Sequence, residues 1–183
     1  MKDVLVFLAK FLALSAVLFV AFTAAQERYY TVLARTTAAT GTVTGASIEV
    51  TGVEGNVMAF RYAGMEVKES LMFAAFNPVI LLSLLVSTPR AGWRILSVGA
   101  WGLALLLLAQ VVTLRLLLAI DTRTVMFAGT PVTGYRATPG LELLEIVALA
   151  SICVNWILPV LIWIAWVPTG FLARALKSGP ASP

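Results

Sequence analysis

Few residues in this chain are equipped for chemistry. There is no histidine and only one cysteine, Cys153. Without histidine there is no imidazole general base, no histidine-containing triad and no imidazole metal ligand. The only aspartates, Asp3 and Asp121, lie outside the apolar runs. The paired carboxylates of an aspartyl intramembrane protease are therefore missing. Cys153 sits in an apolar run with no histidine to activate its thiol, and it reads as a small packing residue. As the lone cysteine it forms no internal disulfide. What remains at membrane depth is three uncharged amides, Asn77, Gln110 and Asn155, with Arg115 at the edge. Polar groups inside lipid are costly and are functional suspects for that reason. An amide reaching a neighbouring helix contributes about 0.6–2 kcal/mol. Interhelical glue is thus the expected role, and a polar-lined pathway is the alternative. Neither an enzymatic activity nor a cofactor is expected.

Such amides need elements to hold them, and the composition points to membrane helices. The chain is 60% hydrophobic and 12% charged, against about a quarter charged in ordinary soluble domains. Lipid is the simplest solvent for so much apolar surface. The net charge of +4 does not signal nucleic acid, because most basic residues flank apolar runs as topology anchors. The expected partner is the lipid bilayer, and no nucleic acid is expected.

The stretch from Leu71 to Ile120 organises the rest: an apolar run, a basic link through Arg90, Trp93 and Arg94, and a longer apolar run. This is the pattern of a helical hairpin that crosses a bilayer and returns. Spans are expected at about 71–88, 95–120 and 143–167, after an N-terminal anchor over 1–26. The first segment also has the features of a signal peptide, with Lys2 before it and Thr23-Ala24-Ala25 as a small-residue exit. A retained helix with Lys10 snorkelling to the headgroups is the preferred reading. Pro78 and Pro159 predict helix kinks. Arg90, Trp93, Arg94, Arg115, Trp163 and Trp166 are the expected interfacial anchors. Gly99 and Gly102 form a small-residue patch suited to helix contact.

Between residues 27 and 70 the period changes to two. Ile48 and Val50 alternate with Glu49 and Thr51, and Met58, Phe60 and Tyr62 alternate with Ala59 and Arg61. Turn residues Gly55-Asn56 and Ala63-Gly64 separate the runs, which predicts a small antiparallel meander with one apolar face. So short a segment cannot enclose a core. Its apolar face must rest on helix ends, on the loop over 121–142, or on a partner. Ile48, Val50, Met58, Phe60 and Tyr62 are the candidate peptide or partner surface, with strand addition at an edge as the mode. Coverage of those edges by Thr130 to Thr138 is the competing reading.

Orientation follows from charge beside the spans. Of 13 basic residues, six (Lys2, Lys10, Arg90, Arg94, Arg174, Lys177) fall on the side of the termini and seven on the other. The six occupy much shorter segments, so both termini are expected in the cytoplasm of a bacterium, with the chain in its inner membrane. The fold class expected is a membrane all-α four-helix transmembrane bundle with a small extracytoplasmic antiparallel β module, α+β overall. After the third span comes the loop over 121–142, and after the fourth a cytoplasmic tail.

One passage resembles a known family. Phe76-Asn77-Pro78-Val79-Ile80-Leu81, then Leu84-Leu85-Val86-Ser87-Thr88-Pro89, then Trp93-Arg94-Ile95-Leu96 is similar to the small integral membrane protein that accompanies exosortase H. Exosortases are multispanning enzymes that process proteins bearing a C-terminal sorting span, through a Cys–Arg–His set. This chain lacks that set, so the resemblance implies the accessory and not the protease. It implies an integral membrane partner, the exosortase, and a role in scaffolding the enzyme or its substrate tail. A structural subunit of another membrane complex (respiratory, photosynthetic or secretion) is the alternative, and small-molecule transport or lipid handling is a third.

Overall fold

The computed structural model describes residues 2–41, 47–62, 65–70, 76–88, 93–126 and 141–167. Its elements in chain order are α1 (Lys2–Ala39), β1 (Ile48–Glu54), β2 (Val57–Tyr62), β3 (Met65–Ser70), α2 (Phe76–Ser87), α3 (Arg94–Met126) and α4 (Leu141–Trp166). Helices α1, α3 and α4 are long and apolar enough to cross a membrane. Large apolar side chains cover their outer surfaces, among them Leu12, Val20, Trp101, Leu108, Leu149 and Ile157. Polar side chains such as Asn77, Gln110, Thr113 and Asn155 are instead buried. Such an apolar exterior suits a lipid solvent.

The described part of helix α2 lies within the span expected over 71–88. It has 12 residues, which makes it about 18 Å long against a hydrocarbon layer of about 30 Å. Residues 71–75 and 89–92, on either side, lie outside the described residues. Helices α1, α3 and α4 all pack on α2, and Asn77, Pro78, Val79, Leu81, Ser83, Leu84, Leu85 and Ser87 are buried. Protein therefore covers most of its described surface, with Phe76 and Val86 left exposed.

The first helix departs from expectation. It does not end near residue 26 but runs to Ala39, so the strands occupy only the part of 27–70 that starts at Ile48, where the alternation begins. At 38 residues it is about 57 Å long, nearly twice the hydrocarbon thickness. Its second part has its own helical pattern, with Tyr30, Leu33, Ala34 and Thr37 buried on one face. Threonine is a weak helix former because its hydroxyl competes for the backbone. Here those hydroxyls bond within the helix: Thr31 Oγ1 to Glu27 O, Thr36 Oγ1 to Val32 O, and Thr37 Oγ1 to Leu33 O, at 2.7–2.8 Å. Beyond the helix end, Gly41 takes a left-handed φ of 101°. Helix α3 is likewise extended to Met126, so residues 121–126 are helical and not part of an external loop. The remainder of that loop, 127–140, lies outside the described residues, as do the tail beyond Val167 and the proposed cover Thr130 to Thr138.

The strands form the expected antiparallel meander, ordered β1-β2-β3. Ile48 pairs with Tyr62 and Val50 with Phe60, and a bulge between Val50 and Gly52 shifts the register to Gly52 opposite Ala59. Gly55, at φ 59°, makes the β1–β2 turn. Ile48, Met58, Phe60 and Val67 point to one side, where they meet Tyr30, Leu33 and Ala34 of α1 and Val111, Leu114 and Leu118 of α3. The helix ends, therefore, complete the core that the strands cannot enclose alone. A second cluster, Leu81, Leu85 and Leu106 with Leu158, Ile162 and Trp166, lies where α2, α3 and α4 meet.

Candidate functional site

The three amides that the sequence marks as functional suspects are bonded between helices in two sets, and every helix takes part in one of them. On α4, Asn155 Nδ2 donates to Thr113 Oγ1 at 2.6 Å and to Ala109 O at 3.3 Å, both on α3, and to Ser151 O of its own helix at 3.1 Å. From α2, Asn77 Nδ2 donates to the backbone carbonyl of Asn155 at 3.0 Å. From α1, the Tyr29 hydroxyl donates to Oε1 of Gln110 on α3. Asn77, Gln110, Thr113 and Asn155 are each at most 1% exposed.

Position in the helices explains the arrangement. Gln110 and Thr113 lie three apart on α3, and Ala109 and Thr113 four apart, so they share a face. Thr113 Oγ1 also donates to Ala109 O at 3.0 Å, leaving its lone pairs for Asn155. Pro159 lies inside α4 and has no N–H for the carbonyl four residues earlier. That carbonyl belongs to Asn155, and Asn77 supplies the missing donor. Among the described residues no donor reaches Oδ1 of Asn77 or Oδ1 of Asn155.

A second polar tie joins α2 and α4 at the other end of α2. Trp163 Nε1 donates to Thr88 Oγ1 at 2.8 Å, and Thr88 Oγ1 donates to Leu84 O at 2.7 Å. Phe7 of α1 stacks on Trp163 with ring centroids 5.7 Å apart, and Phe19 stacks on Phe76 at 5.4 Å. Between the two ties α3 comes close. A Cβ added at Gly102 meets Leu81 Cδ2 at 2.7 Å and Ile162 Cγ2 at 3.2 Å.

Other expected site residues take different places. Pro78 stands in the first described turn of α2, where a missing N–H removes no bond within the described helix, and residues 71–75 before it lie outside the described residues. Trp93 points outward, 86% exposed, while Trp163 and Trp166 turn into the α2–α3–α4 core. Arg115 donates to Thr40 Oγ1, which joins α3 to the end of α1. Arg94 is the first residue of α3, and Arg90 lies outside the described residues. Cys153 does not pack inside; it is exposed on α4.

The proposed partner surface is also revised. Ile48, Met58 and Phe60 are buried, and Val50 packs against the same cluster, so these side chains serve the chain's own core. Met58, Phe60 and Tyr62 belong to the central strand, which already has a neighbour on each side. A partner on the sheet would meet an outer edge or the polar face, where Arg61 and Glu49 approach at 3.8 Å. That face carries a shallow hollow bordered by Gly52, Glu54, Ala59, Glu66 and Lys68.

Sequence reasoning missed Tyr29, Thr113 and Thr88. Thr113 stands three residues after Gln110 and shares its face, a signal that was present. Tyr29 was concealed by the misplaced end of α1. Chemically, the group contains amides, hydroxyls and a phenol. Among the described residues no cluster of three or more His, Cys, Asp or Glu is placed to hold a metal ion. No family model, curated protein or solved structure matches the chain.

Proposed function

We propose that this chain is a non-catalytic, multi-pass scaffold of the bacterial inner membrane that holds a partner membrane protein. In this reading all four helices lie at membrane depth, both termini are cytoplasmic, and the sheet stands on the extracytoplasmic side. The observation that carries it is how the polar groups are used. Asn77, Thr113 and Asn155, with Tyr29 and Gln110, bond one helix to another, while the outer surface of the long helices is apolar. Polar side chains committed to each other serve packing. The same observation weighs against transport or lipid handling, which needs these groups to face a hydrated or lipid-filled cavity.

The partner follows from the resemblance across Phe73 to Leu96: an exosortase-type sorting enzyme, with this chain holding the enzyme or its substrate tail. The test is co-expression with an exosortase H and purification in mild detergent. Recovery of a stoichiometric complex supports the reading. Its absence, with subunits of a different membrane assembly recovered instead, favours the structural-subunit alternative. Sidedness is tested separately with a cysteine at exposed Glu54 in a Cys153→Ser background. Labelling of intact cells by a membrane-impermeant maleimide is expected, and labelling only after lysis would reverse the orientation.

A further inference from the structure

The carbonyl of Asn155 shows that α4 is not held together by its own backbone alone. In an unbroken helix the residue at 159 would donate to it, but Pro159 cannot. Its donor comes from another helix, through Asn77 Nδ2 at 3.0 Å. We propose that Asn77 is the latch of a hinge in α4. With the bond made, the Asn155 carbonyl has its donor and the helix keeps one angle at Pro159, with the turns after it seated against α2; with it broken, that angle varies and those turns shift while the rest of α4 stays in place.

The two sides of Pro159 are fastened differently. Before it, Asn155 is tied by its side chain to Thr113 and Ala109 of α3. After it, the polar tie is Trp163 to Thr88, again on α2. Helix α2 thus meets α4 through polar bonds at both ends of the hinge segment.

The experiment uses the full chain in nanodiscs, with Cys153→Ser and pairs of spin labels read by pulsed electron paramagnetic resonance. One pair, at exposed Leu96 and Ile164, reports the turns of α4 after Pro159 against α3. The control pair, at exposed Val112 and Leu149, reports the part of α4 before it. Asn77→Leu keeps the side chain's bulk and removes the donor. It is expected to broaden the 96–164 distribution and shift it by several ångströms, leaving the 112–149 distribution unchanged. Adding Pro159→Ala returns a backbone N–H to the Asn155 carbonyl, so the double variant is expected to recover the narrow distribution. An unchanged 96–164 distance in Asn77→Leu, broadening that persists in the double variant, or equal broadening of both pairs would each overturn the latch.

Discussion

Replacing either of two glycines on α3 with alanine is expected to change stability in opposite directions. Gly99 and Gly102 both lie inside the helix, where alanine orders the backbone and is favoured by about 0.5–1 kcal/mol. At Gly99 the new Cβ lies 3.8 Å from Leu85 Cδ1, an ordinary van der Waals contact, so that gain is realised in full. At Gly102 the Cβ lies 2.7 Å from Leu81 Cδ2 and 3.2 Å from Ile162 Cγ2. Leu81 must move, yet it is fully buried beside Leu85 and Leu106. Overpacking such a core costs about 1–3 kcal/mol. Subtracting the helix gain leaves roughly 0–2.5 kcal/mol of net destabilisation at Gly102. In a chain of this size each kcal/mol shifts the midpoint by about 2–4 °C. Thermal unfolding in one mild detergent, followed by circular dichroism, should place Gly99→Ala above the parent and Gly102→Ala below it. If Gly102→Ala proves as stabilising as Gly99→Ala, the close crossing of α2, α3 and α4 is refuted. The larger Gly102→Leu is expected to lie lower still.

Further outcomes follow from the same contacts. Tyr29→Phe removes the hydroxyl that bonds Gln110 and should cost about 0.6–1.7 kcal/mol, and a double-mutant cycle with Gln110→Leu should return the same coupling. Phe60→Ala hollows the core between the sheet and the helix ends and is expected to cost about 3–5 kcal/mol; hydrogen exchange should show faster exchange of strand amides than of α4 amides. Cys153, exposed on α4, should resist a water-soluble maleimide in liposomes and react with an apolar one, because lipid covers that surface.

The patterns that need only neighbouring residues were legible in the chain. The apolar runs of α1, α3 and α4 follow from composition and length alone. The two-residue alternation, with Gly55-Asn56 as the turn, located the β1–β2 hairpin, because a strand sends successive side chains to opposite faces. That three uncharged amides would bond between helices followed from the cost of leaving them bare in lipid. Tertiary structure decided the rest. The Thr-rich continuation of α1 is helical because Tyr30, Leu33 and Ala34 find the sheet and α3 to pack against, and propensity alone does not count such distant contacts. Gly102 differs from Gly99 only through Leu81 and Ile162. The bond from Asn77 to Asn155 joins residues 78 positions apart, and only the folded chain sets them side by side.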